Sequence, residues 1–98
     1  MTVVIFRNRL RSEAADAYSE LAPKMEELAQ QQPGFLSMKT FTAPDGERVT
    51  IAAFESDEAV VAWRRHPEHR EAQERGKSEF YSEYRLQVCE VVRERQFP

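Results

Sequence analysis

The segment Phe35–Phe54, FLSMKTFTAPDGERVTIAAF, decides how this chain folds. Phe35–Thr42 and Arg48–Phe54 are rich in β-branched and aromatic residues, the composition of strands. Between them, Ala43-Pro44-Asp45-Gly46 has the proline and Asp-Gly chemistry of a tight connection. The two runs therefore read as a β-hairpin, and the flanking segments set the topology.

On the N-terminal side, Thr2-Val3-Val4-Ile5-Phe6 opens a strand that continues to about Arg9. Ser12 is placed to cap a helix, with Glu13 and Asp16 near the positive end of its dipole. Tyr18, Leu21, Met25 and Leu28 then recur at the three-to-four spacing of one helical face. Pro23 removes one backbone donor inside that pattern, which predicts a kink. Gln30-Gln31-Gln32-Pro33-Gly34 ends the helix. On the C-terminal side, Ser56 caps a second helix with Asp57 and Glu58 in its first turn and Ala59, Val60 and Trp63 on its buried face. Pro67 cannot continue that helix but suits the first turn of a new one, expected to run to about Ser78. Tyr84–Arg93 is the expected last strand.

The order is β-α-β-β-α-β, a ferredoxin-like α+β arrangement in one domain, residues 1–98, with both crossover helices on the same side of one antiparallel sheet. Both sheet faces are apolar. Val3 and Ile5 oppose Val4 and Phe6; Val49, Ile51 and Ala53 oppose Ala52 and Phe54; Leu86 and Val88 oppose Cys89 and Val91. A sheet with one wet face alternates apolar with polar. The helices cover only one side, so a second copy related by a two-fold axis is the expected cover for the other.

Composition excludes several function classes. The chain has 98 residues, a formal net charge of −3 and 32% charged residues of interspersed sign, so no basic face recommends nucleic acid. No apolar run approaches the roughly 20 residues of a membrane helix. Strand-like sequence begins at once, without a signal-peptide pattern, and a cytoplasmic location is expected. Cys89 stands alone in an apolar run and reads as a small buried hydrophobe. The chain has no Gly-rich phosphate loop, paired Cys-x-x-Cys or His-x-x-x-His, which argues against a dedicated nucleotide or metal site.

Together, Asn8-Arg9-Leu10, Gln32-Pro33-Gly34-Phe35-Leu36, Phe54-Glu55-Ser56, Ala62-Trp63 and His66-Pro67-Glu68-His69 resemble the antibiotic biosynthesis monooxygenase family, from the first strand to Val92. The resemblance implies a dimeric α/β barrel and two contrasting chemistries. One branch of the family oxygenates polycyclic phenols or quinols without metal or flavin, the substrate anion itself reducing dioxygen. The other binds haem and degrades it, using a strand-one Asn, a Trp in the second helical region and a His ligand ten residues after that Trp. Asn8 and Trp63 match, whereas Gln73 occupies the ligand position.

Each candidate also has a plain structural role. Asn8 could satisfy the turn into the first helix, and Trp63 could anchor the core while walling a pocket. His66 could cap the helix at Pro67. His69, one turn before Gln73, suits a base near neutral pH better than a metal ligand. Phe80, Tyr81 and Tyr84 form an aromatic cluster in which Tyr81 could offer a phenol. Glu68, Arg70, Glu71, Glu74 and Arg75 read as a solvated helical face. The resulting expectation is a monooxygenase free of prosthetic groups that acts on an aromatic or quinol-type molecule with dioxygen. Asn8, Trp63 and His69 would be its catalytic residues, and Tyr81 and Gln73 would contact the substrate. The alternatives are haem binding or degradation with a shifted ligand, and a non-catalytic dimeric binding module.

Overall fold

The computed structural model describes the whole chain, Met1–Pro98. Strand β1 (Thr2–Leu10) leads through a 3-10 turn at Ser12–Ala14 into helix α1 (Ala15–Gln30), followed by strands β2 (Phe35–Thr42) and β3 (Arg48–Phe54). Helices α2 (Asp57–Arg65) and α3 (Pro67–Arg75), a π-turn at Gly76–Phe80 and strand β4 (Tyr81–Glu90) complete it. The sheet runs β2-β3-β1-β4 and every pairing is antiparallel. This is the ferredoxin-like α+β fold that the sequence pattern predicts.

The local signals act through identifiable bonds. In the hairpin, Gly46 N–H donates to the Ala43 carbonyl at 2.9 Å, and Asp45 Oδ1 accepts from Glu47 N–H at 3.0 Å. Ser56 Oγ accepts from Ala59 N–H at 3.2 Å, capping α2. His66 Nδ1 accepts from Glu68 N–H at 3.3 Å, capping α3 with Pro67 in its first turn. Gly34 explains why Pro-Gly-Phe and Glu-Ser belong together. Its φ is +84°, a Cβ there would lie 2.8 Å from Ala59 Cβ, and its carbonyl accepts from Glu55 N–H at 2.7 Å. The turn after α1 is thus locked against the start of α2, and a side chain at Gly34 would force them apart.

Three local expectations change. Ser12 does not cap α1: its hydroxyl bonds Glu13 within the 3-10 turn, and the helix begins at Ala15 with no side-chain cap. α3 stops at Arg75 rather than near Ser78, because the chain widens into the π-turn. β4 then begins at Tyr81 and ends at Glu90, displaced from the expected Tyr84–Arg93. Its first residues pair with Arg9 and Leu10 across an irregularity in β1, a long-range pairing with no local sequence signal. α1 runs continuously through Pro23, which is solvent-exposed, with the predicted face of Tyr18, Leu21, Met25 and Leu28 turned inward.

The core forms where α1 and α2 meet the sheet, from Ala29, Ala52, Phe54, Val60 and Trp63, with Val4, Leu28, Phe35, Met38 and Ala59 packed around them. Through the strand register, Thr2, Val4, Phe6 and Asn8 share the helix-facing side with Phe54, Ala52, Thr50 and Arg48 of β3, and with Glu90, Val88, Leu86 and Tyr84 of β4. The helix-free side carries Val3, Ile5, Ile51 and Ala53 at one end, and Val49 lies opposite Arg7. At the other end Arg7 pairs with Glu47, and Arg9 with Asp45 and Glu83.

Candidate functional site

α2 packs over β1 and β3 and leaves the edge strand β4 thinly covered. Tyr84, Leu86 and Val88 lie on the helix-facing side, yet each is about half exposed, at 47%, 50% and 46%. They form an open apolar trough beside Phe6 and Val4. Apolar side chains on that side of a sheet are ordinarily sealed by a helix.

At one end of the trough stands Asn8, only 2% exposed, whose Oδ1 has no hydrogen-bond partner. Its neighbours across the sheet are Arg48 on β3 and Tyr84 on β4. Arg48 Nη1 is also buried and unpartnered, while its guanidinium lies 4.4 Å from the centre of the Tyr18 ring. Tyr81 closes this end, its ring centroid 5.3 Å from that of Phe6 and 6.1 Å from those of Tyr18 and Tyr84. Gly76 makes room for it, since a Cβ there would fall 2.7 Å from Tyr81 Cε2. Burial, with Tyr18 alongside, raises the Tyr81 phenol well above its ordinary pKa. Tyr81 is therefore a neutral hydroxyl at physiological pH.

A second cluster lies on α2 and α3. Trp63 is buried in the core, and the His69 ring stacks on it at 4.0 Å with 11° between planes. His69 Nδ1 is 3.0 Å from the Trp63 carbonyl, so it must carry the proton, leaving the lone pair on Nε2. Burial lowers the His69 pKa, the Trp63 carbonyl bond partly opposes this, and nearby His66 lowers it further. His69 is thus a neutral imidazole with a defined tautomer at pH 7. Gln73 Nε2 donates to the Arg64 carbonyl at 2.9 Å and rests 3.3 Å from His69 Nδ1, which ties α3 to the end of α2. A shallow notch of about 380 Å³ here is lined only by polar side chains: Arg64, Arg65, Arg70, Gln73 and Glu74.

The sequence candidates thus fall into two groups. Asn8 and Tyr81 share the polar end of the trough; Trp63, His69 and Gln73 form the other cluster. Trp63 shares a core cluster with Ala52, against which Val4 packs, and that rung lies four residues from Asn8 along β1, or about 13 Å at the usual rise per strand residue. Arg48 and Tyr18 do not stand out as site residues in the sequence. A signal for Arg48 is nevertheless there: it falls in phase with Ala52 and Phe54, as Asn8 falls in phase with Val4 and Phe6, so each is a polar residue on an apolar stripe.

Haem places a demand on this site that Gln73 does not meet. An amide is a poor iron ligand, and its nitrogen already serves the Arg64 carbonyl. The position that the resemblance gives to the ligand does not fit the group.

Fold and site together define a small ferredoxin-like α+β protein with an open aromatic trough that ends in unpartnered polar groups. The antibiotic biosynthesis monooxygenase family model matches residues 1–75, and the chain belongs to that family. It is 39% identical over 94 residues to YqjZ of Bacillus subtilis, itself uncharacterized, covering 96% of this chain and 82% of that protein. In fold it is similar to Rv0793 of Mycobacterium tuberculosis, with a TM-score of 0.85 at 21% identity over 97% of this chain and 98% of that one. It is likewise similar to SnoaB of Streptomyces nogalater, a cofactor-independent oxygenase whose structure was solved as a point mutant. There the TM-score is 0.80 at 13% identity, covering 95% of this chain and 94% of that one.

Proposed function

We propose that this chain is a monooxygenase that works without a prosthetic group on an aromatic, quinol-type small molecule. The observation that carries the reading is the buried, unpartnered Asn8 amide at the end of an apolar trough. An unpaired buried polar atom destabilises a fold by about 1–3 kcal/mol, so one kept in a native fold calls for an explanation, and a ligand group that completes it is one. The trough suits a planar apolar body, and its Asn8–Tyr81 end suits an oxygen substituent.

In this reading the substrate is an anthrone-like compound with a methylene between aryl rings. Loss of a proton gives an electron-rich anion that reduces dioxygen. A C–O bond forms at the former methylene carbon, and the O–O bond breaks. One oxygen atom remains as a carbonyl and the other leaves as water with the two methylene hydrogens. Four electrons leave the carbon and dioxygen takes four, so no external reductant is needed. Asn8, with its amide turned so that Nδ2–H faces the substrate oxygen, donates to it and steadies its negative charge, and Tyr81 contributes a neutral hydroxyl. Trp63 and His69 stand in the other cluster, about 13 Å along β1 from Asn8, so the proton passes to water at the open side of the trough rather than to His69. A second copy covers the apolar part of the helix-free sheet face.

Oxygen uptake by purified protein with an anthrone, without added flavin, nicotinamide or metal, tests the reading. Asn8→Ala should lower turnover more than binding, by a factor consistent with a charge-stabilising donor worth about 3 kcal/mol. A substrate panel with no uptake above background favours a binding module instead.

A further inference from the structure

Arg48 is a partly buried cation without a counter-charge. Its Nη1 is buried without a hydrogen-bond partner, and no carboxylate pairs with it, whereas Arg7, Arg9 and Arg75 all hold acids. Desolvating a cation without a counter-charge is costly. The Tyr18 ring face at 4.4 Å offsets part of this through its quadrupole, but it leaves the N–H unmet. Directly across the register, Asn8 is equally unmet, and the two do not satisfy each other. No hydrogen bond fixes the Asn8 amide one way round, so it can turn to present Nδ2–H in place of Oδ1. An oxygen atom seated between them would then receive two donors, one carrying a full positive charge. That set suits a single ionised oxygen or a carboxylate edge; a phosphate would call for more donors than the site offers. Phe6, Tyr18, Tyr81 and Tyr84 supply aromatic faces around the same point.

We propose that Arg48 is a specificity-determining residue which, with Asn8, selects planar aromatic ligands bearing an ionised oxygen, a carboxylate or a phenolate, over their neutral counterparts. The site is the one used in the oxygenase reading, on which the placement of the ligand rests, but the claim concerns binding and requires no turnover.

Isothermal titration with three probes that cannot undergo the oxygenation tests it. Anthraquinone-2-carboxylate should bind at least about tenfold more tightly than anthraquinone-2-carboxamide, a difference of about 1.4 kcal/mol. Arg48→Met should remove that preference by weakening the carboxylate about tenfold more than the carboxamide, and Arg48→Lys should restore part of it. For 2-hydroxyanthraquinone, the phenolate absorption band should appear at lower pH in the complex than in solution, by about one unit, and this displacement should vanish in Arg48→Met. Discrimination confined to the carboxylate or to the phenolate identifies which oxygen the site takes. Equal binding of carboxylate and carboxamide together with an undisplaced phenol titration, or failure of all three probes to bind, overturns the proposal. If Arg48→Met does not fold, the carboxylate-to-carboxamide ratio and the phenol titration of the unaltered protein still decide it. Discrimination without oxygen uptake sinks the oxygenase reading alone; uptake without discrimination sinks this one alone.

Discussion

Asn8→Leu should separate stability from function in opposite directions. Asn8 is 2% exposed and its Oδ1 lacks a partner, so the folded state carries a desolvated acceptor that the unfolded chain does not. Leucine has the same number of side-chain heavy atoms in the same branched arrangement, which limits overpacking. Removing the unpaired group should recover about 1–3 kcal/mol. Part of that is lost in fitting two methyl groups beside Arg48 and Tyr84, so the net gain should be about 1–2 kcal/mol. For a domain of this size each kcal/mol moves Tm by about 4–8 °C. Thermal unfolding followed by far-UV circular dichroism, at fixed protein concentration because association also shifts Tm, reads this directly. Oxygen uptake and aromatic-ligand binding should fall in the same variant. A lower Tm for Asn8→Leu would show instead that the amide holds the fold together.

Three further outcomes are expected. Ile51→Asp places a charge in the apolar part of the helix-free face, where Ile51 is 41% exposed; sedimentation should show a two-fold dimer becoming an 11.4 kDa monomer, and a monomeric unaltered protein would dispose of the dimer. Hemin titration should give weak or no binding, because Gln73 stands at the ligand position; a tight one-to-one complex that disappears in His69→Ala would reverse that conclusion and name the ligand. His69 is held neutral by burial, so its folded pKa lies below the unfolded value of about 6.5. Its contribution to stability is complete above that pH and declines as pH falls through the folded pKa. Urea unfolding at a series of pH values should therefore show a midpoint that drops on acidification, with a shallower drop in His69→Gln; parallel curves would discard the linkage.

What can be read from the sequence follows from how local each determinant is. The hairpin, the Ser56 cap and the His66-Pro67 break each depend on neighbours within a few residues, and all take their expected forms. The start of β4 depends on Arg9 and Leu10, about seventy positions away in the register, and residue pattern alone misplaces it. Ser12 has the chemistry of a cap, but the intervening 3-10 turn moves the helix start beyond its reach. Asn8, Trp63, His69 and Tyr81 stand out as residue types. Their division into two clusters follows from the strand register and the seat of α2, which residue spacing does not encode. Arg48 meets Asn8 only through β1–β3 pairing and Tyr18 only through the docking of α1. It reads as one more charge beside a turn until the register sets it opposite Asn8.

In the proposed oxygenase chemistry, substrate and dioxygen supply all the electrons and one oxygen atom stays in the product. Turnover of an anthrone under ¹⁸O₂, with protein shown by elemental and absorption analysis to carry no metal, flavin or haem, tests this most directly. The expected product is an anthraquinone carrying one ¹⁸O atom, with the other ¹⁸O in water, no hydrogen peroxide, and a slower reaction in Asn8→Ala. Unlabelled product, stoichiometric hydrogen peroxide, or activity that emerges only when a cofactor is added would contradict it.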